Sequence, residues 1–111
     1  MEIVVSTHEH VTIVEPRGRI DSTTSRELGR WLQDLIQEGR QRLIIDFGRV
    51  AYISSAGFRV LLIAAKDAKD RSRGFALCNL SQEVRRLFEI GAFLDLFPIY
   101  PTREEGVAAS A

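Results

Sequence analysis

A lone cysteine leaves Cys78 without a partner for an intramolecular disulfide and rules out any multi-cysteine zinc site. Its apolar setting, "FALCNL", marks it as a small buried hydrophobe rather than a reactive thiol. Long apolar runs are also missing. The longest is "VLLIAA" at 60–65, far below the roughly 20 residues a membrane helix needs. The N-terminus "MEIVVSTHEH" lacks the basic stretch and apolar core of a signal peptide. Neither sign of charge is in excess: 15 Lys and Arg stand against 15 Asp and Glu. That balance argues against a phosphate-neutralising nucleic-acid surface and gives no polybasic membrane patch. What remains, with 45% hydrophobic residues, is a globular chain of 111 residues. The expectation is one intracellular, cytoplasmic domain spanning 1–111, without a membrane span, and monomeric or at most a weak dimer.

The pattern of what is present gives the elements. "EIVVS" and "HVTIVEP" are β-branched segments flanking "THE" and predict an antiparallel hairpin. Thr24 and Glu27 have capping-box spacing ahead of an apolar stripe of Leu28, Trp31, Leu32, Leu35 and Ile36. That stripe assigns Trp31 to core packing rather than to a partner surface, and Gly39 ends the helix. "RLIIDF" reads as a strand buried on both faces. From Ser55 the pattern is helical, with Phe58, Leu61, Leu62, Ala65 and Ala68 on one face. "FALCNL" is another buried strand. Ser81 or Asn79 caps a third helix with Val84, Leu87 and Phe88 inward, "LFPIY" is a last strand, and 102–111 is a terminal helix that can fray. Alternating strands and helices predict parallel crossovers. The fold class is α/β: a mixed sheet of four to five strands opening with an antiparallel hairpin, flanked by three to four helices.

Enzyme chemistry finds little support. The nucleophile elbow G-x-S-x-G is absent around Ser55, and no phosphate-binding G-x-x-x-x-G-K-[ST] or dinucleotide G-x-G-x-x-G occurs. The only histidines, His8 and His10, sit in the first hairpin without a third metal ligand nearby. No cofactor, metal site or catalytic residue is assigned. Asp46, at the end of the buried strand, reads equally as a residue assisting a site and as a carboxylate capping the next turn.

One stretch resists a purely structural account. "RVAYISSAGFRVLL" at 49–62 sets Ser54, Ser55, Ala56 and Gly57 where a strand gives way to a helix. The first turn of that helix leaves N–H groups unpaired at the positive end of the helix dipole. Either serine can act as N-cap, which explains one of them. Four consecutive small residues further suggest a backbone and hydroxyl left open to another protein's active site. A phosphate on Ser55 would lie beside the N–H groups of the first turn, where negative charge is favoured.

"VAYISSAGFRVLL" closely resembles the signature of anti-sigma factor antagonists, bacterial members of the STAS domain family. The likeness extends through "GRID", "LIIDF" and "NLSQEVRRLFEIGAFLDLFPIY", nearly the whole chain. The resemblance implies a non-enzymatic regulator in a partner-switching circuit. Unphosphorylated, it would bind an anti-sigma factor that is also a serine kinase and so free a sigma factor. The kinase would phosphorylate the signature serine, and a PP2C-type phosphatase would reverse this. On this alignment Ser55 is the phosphorylation site, Gly57 the signature glycine and Phe58 the following leucine. Asp21 of "GRID" and Asp46 fall on recurrent aspartates near the site, which Ser54 and Ala56 complete. The usual aspartate before the acceptor is here Ser54, which removes a carboxylate and makes Ser54 a second candidate acceptor. The alternative is a STAS-type scaffold or transport-accessory domain that binds partners constitutively.

Overall fold

The computed structural model describes residues 1–109. Strands β1 (Glu2–His8) and β2 (Val11–Ile20) form the expected antiparallel hairpin, in unbroken register from Glu2↔Arg17 to His8↔Val11. Its turn is Glu9 and His10, with Glu9 at φ 58°. There follow α1 (Thr24–Gln37), β3 (Arg42–Asp46), β4 (Val50–Ile53), α2 (Ser55–Asp70), β5 (Gly74–Cys78) and α3 (Gln82–Ile90). A 3-10 turn (Leu94–Leu96), β6 (Ile99–Tyr100) and α4 (Arg103–Ala108) complete the chain. The sheet runs β1-β2-β3-β5-β6, every pair parallel except the hairpin.

The mixed sheet is as expected, but its strand count among the described residues is six. The extra strand is β4, inside the quoted serine stretch. It arises because β2 serves two neighbours. Its first half, Val11 to Val14, pairs with β3. At Gly18, whose φ of +103° suits glycine, the register shifts and the remainder pairs with β4 up to Ile20↔Ile53. The tight turn after β3, closed by Val50 N–H to the Phe47 carbonyl at 3.0 Å, sets β4 beyond β3 along the same neighbour. The strand read as ending before Ser54 is this one, a strand of its own rather than part of β3.

Side chains of the sheet alternate between two cores. On one face Leu43, Ile45 and Leu77 meet α1, α2 and α3. From α1 come Leu28, Leu32, Leu35 and Ile36, each worth about 1.5–3 kcal/mol by burial. Trp31 is not among them: it stands at the margin of the stripe and is 41% exposed, contrary to the core role its spacing suggests. All six phenylalanines join this core through ring contacts. Phe58 stacks on Phe93 at 4.2 Å and meets Phe88 edge-on at 4.8 Å. Such pairs add about 0.5–1.5 kcal/mol each beyond their area.

On the other face α4 covers Val11, Ile13, Ile44, Ala76 and Cys78. Residues 102–111, expected as a helix that can fray, are helical over Arg103–Ala108, and the last two lie outside the described residues. Thr102 Oγ1 caps α4 by accepting from Glu105 N–H at 3.1 Å. Arg103 donates to Asp46 Oδ2 at 2.7 Å and to Glu15 Oε2 at 2.9 Å, pinning the helix to two strands. Cys78 is fully buried beneath it, and burial pushes its thiol up to about 12. No helix among the described residues is long and apolar enough to cross a membrane.

Candidate functional site

The site begins where two parallel strands end side by side. Ile20 of β2 and Ile53 of β4 are register partners, and the Ser54 N–H extends the ladder by donating to the Ile20 carbonyl at 2.8 Å. From this pair of strand ends α1 and α2 start, so two helix N-termini open at the same sheet edge, the usual place for sites in open α/β folds.

Asp21 organises the first of them. Its Oδ1 accepts from Thr23 N–H at 3.0 Å and Thr24 N–H at 2.9 Å, and its carbonyl accepts from Ser25 N–H at 2.9 Å. Thr24 Oγ1 accepts from Asp21 N–H at 2.8 Å and donates to the Arg19 carbonyl at 2.7 Å. Asp21 therefore does the capping that spacing assigned to Thr24. The backbone donors of Thr24 and then Thr23 hold its carboxyl below the usual range. Glu27 does not reach back either; its Oε1 accepts from the N-terminal ammonium at 3.4 Å.

At the second terminus the two serines divide their roles. Ser54 has extended backbone (φ −90°, ψ 172°) and its Oγ accepts from Gly57 N–H at 3.3 Å. Ser54, not Ser55, is the N-cap. Ser55 is the first residue of α2 and exposed, free of the capping bond. No acidic residue occupies the first turn of α2, and Arg59 is exposed one turn further along the same side. Beside them the Arg19 guanidinium lies over the Tyr52 ring at 4.3 Å, a β2–β4 pair.

The structure thus gathers Asp21, Ser54, Ser55 and the half-buried Ala56 at one edge. Gly57 and Phe58 belong to the interior. A Cβ on Gly57 would stand 2.7 Å from Ile20 Cγ2 and 2.7 Å from Ile53 Cγ1, so that glycine seats α2 on the strands rather than opening the surface. Asp46 is turned to the opposite face of the sheet. Buried to 2% exposure, it accepts from Gly48 N–H at 2.8 Å, Asn79 Nδ2 at 3.3 Å and Arg103 Nε at 2.7 Å. Of its two readings, the turn-capping carboxylate is the one its bonds describe. Arg59 and Ile63, the latter 62% exposed, escaped the sequence reading, although their spacing of four and eight residues from Ser55 places all three on one helix face. His8 and His10 are exposed at the hairpin tip, and the described residues contain no group of three side chains able to hold a metal.

Comparison with known proteins identifies the family of the chain. The STAS domain model matches residues 2–106. A protein named as anti-sigma factor antagonist BtrV, from Bordetella bronchiseptica, is 35% identical over 109 residues, spanning 98% of this chain and 94% of that protein. The anti-sigma F factor antagonist of Paenibacillus polymyxa is 24% identical over 101 residues, covering 90% of this chain and 86% of its own length. Among solved structures, an anti-sigma factor antagonist from Thermotoga maritima superposes with a TM-score of 0.90 at 18% identity, covering 96% of this chain and 92% of that one. The names these relatives carry are those of regulators, not enzymes. The chain belongs to the STAS domain family and is a homologue of the partner-switching anti-sigma factor antagonists.

Proposed function

We propose that this protein is a phosphorylation-switched anti-sigma factor antagonist of the cytoplasm, with Ser55 as acceptor. Unphosphorylated, it binds an anti-sigma factor that is also a serine kinase and releases a sigma factor; phosphorylation ends the complex, and a PP2C-type phosphatase renews it. One observation carries this reading: Ser55 is exposed at the first position of α2 while its neighbour Ser54 caps the helix. The acceptor hydroxyl can be modified without dismantling the cap.

The physical consequences fit a switch. A phosphate on Ser55 carries about −1.5 to −2 charges and lies at the positive end of the α2 dipole. The N–H groups of Ser55 and Ala56 have no carbonyl partner within the helix and face that end. With no acidic side chain in the first turn and Arg59 one turn away, the phosphate meets favourable charge within its own helix. The fold stays intact and the surface changes sign. A partner matched to the cationic face formed by Ser55, Arg59 and Ile63 would then meet a phosphate there.

The test is the intact mass of the protein from its native cells, before and after phosphatase treatment, with the modified peptide mapped. One phosphatase-sensitive phosphate on Ser55 supports the switch; a phosphate on Ser54 moves the acceptor by one residue. No phosphate under any growth condition favours constitutive partner binding by the same helix face.

A further inference from the structure

Two features lie apart from the Ser55 site: the outer edge of β1 and the exposed Trp31. β1 is bonded to β2 on one side, and among the described residues no strand runs along the other. Its seven residues follow β2 without a bulge and contain neither proline nor lysine, the common devices that keep an edge from pairing.

The direction of its free groups follows from the turn. Across a two-residue turn His8 and Val11 form a hydrogen-bonded pair. Alternation then commits Ser6, Val4 and Glu2 to β2, and turns the N–H and C=O groups of Thr7, Val5 and Ile3 outward. An antiparallel second β1, centred on Val5, meets all of these groups. It sets Ile3 opposite Thr7, Val5 opposite Val5, and Glu2 opposite His8 at both ends. The outward-bonding residues are all β-branched and share one face, and the end pairs set Glu2 against a histidine that can donate to its carboxylate, with no like charges opposed. The strand is self-complementary about its middle residue.

Trp31 belongs to the same surface. Glu27, bonded to the N-terminal ammonium, shows which side of α1 hangs over the start of β1. Trp31 follows Glu27 by four residues on that side and remains 41% exposed. On the same face of the sheet, Ile3 and Val5 are only half-buried against the main core. An exposed large aromatic on the helix side that faces an unpaired strand edge is the composition of an interface centre rather than of a solvated rim.

We infer that this chain forms a two-fold dimer with a second copy of itself through β1, joining the two sheets into one and covering both Trp31 rings. β1 and β4 flank β2 on opposite sides, so the interface leaves Ser55 open in each copy.

Sedimentation of the full chain over a concentration series tests this, together with the emission of Trp31, the only tryptophan. A concentration-dependent dimer is expected, with emission moving to shorter wavelength and the amides of Ile3, Val5 and Thr7 gaining exchange protection as it forms. Thr7→Pro removes an outward N–H without touching the β2 ladder, and Trp31→Gln removes the aromatic anchor. Each should weaken the dimer by roughly tenfold or more while the fold is unchanged by circular dichroism. If Thr7→Pro disturbs the hairpin, Trp31→Gln decides alone. A chain monomeric at every concentration overturns the proposal, and so does a dimer indifferent to Trp31→Gln or without protection at the three amides.

Discussion

Gly57 packs directly on Ile20: a methyl group built on its Cα would stand 2.7 Å from Ile20 Cγ2, and as close to Ile53 Cγ1. Both neighbours are β-branched and held in the ladder that joins β2 to β4, so neither can swing aside. Gly57→Ala therefore forces α2 off its seat. The expected loss is about 1–3 kcal/mol, and Gly57→Leu should lose more. Urea denaturation measures this, and an unchanged midpoint for Gly57→Ala would refute the packing role.

Ser54 and Ser55 should separate in the same experiment. Ser54→Ala removes the acceptor for Gly57 N–H and should cost about 1 kcal/mol. Ser55→Ala touches no capping bond and should stay within roughly 0.5 kcal/mol of the parent. In partner binding the order reverses: Ser55→Ala should bind without release, while Ser55→Asp should weaken the complex. Equal stability losses for the two alanine variants would contradict the division of roles.

Arg103 ties α4 to the sheet through Asp46, whose carboxylate is almost wholly buried. Arg103→Ala leaves that carboxylate with the Gly48 and Asn79 donors but without its cation. Breaking a fully buried pair costs 3–5 kcal/mol, and Arg103, 38% exposed, should cost less, about 2 kcal/mol. The loosened helix also uncovers Cys78. Alkylation of Cys78 in native buffer should thus run faster in Arg103→Ala than in the parent. Identical alkylation rates would mean that Arg103 does not hold α4 down.

The helices were legible from a 3.6-residue period, the hairpin from β-branched segments about a short polar break, and the parallel crossovers from unbroken apolar strands alternating with the helices. That β4 is separate from β3 was not, because a four-residue strand beside a bulge is specified by the path of β2, which no local pattern records. The small-residue run has a different physical basis from the one its sequence suggested. Ser54 is small to cap, Gly57 to fit under Ile20 and Ile53, and only Ser55 has the exposure that all four were credited with. Asp46 shows the same limit from another side. Its position at a strand end was visible, and alternation from Ile44 sets its face, but what its carboxylate bonds there depends on Arg103, 57 residues later. Trp31 satisfied the helical spacing, yet it falls at the stripe's margin, where neighbouring elements decide burial.

Alkaline pH should expose the cost of burying Cys78. A free thiol titrates near pH 8.5, whereas burial beneath α4 pushes Cys78 up to about 12. Between these values the unfolded chain has lost a proton that the native chain keeps, so stability falls as pH rises. Below pH 8.5 both states hold the proton and the group contributes no pH dependence. By pH 10 the accumulated loss reaches about 2 kcal/mol, at most 1.36 kcal/mol per pH unit. Cys78→Ala removes this contribution while leaving every tyrosine and lysine in place. Stability curves from pH 7 to pH 10 should therefore converge, with the parent losing more than the variant as pH rises. Parallel curves would show that Cys78 reaches solvent in the native state, and that α4 covers it less fully than its buried position requires.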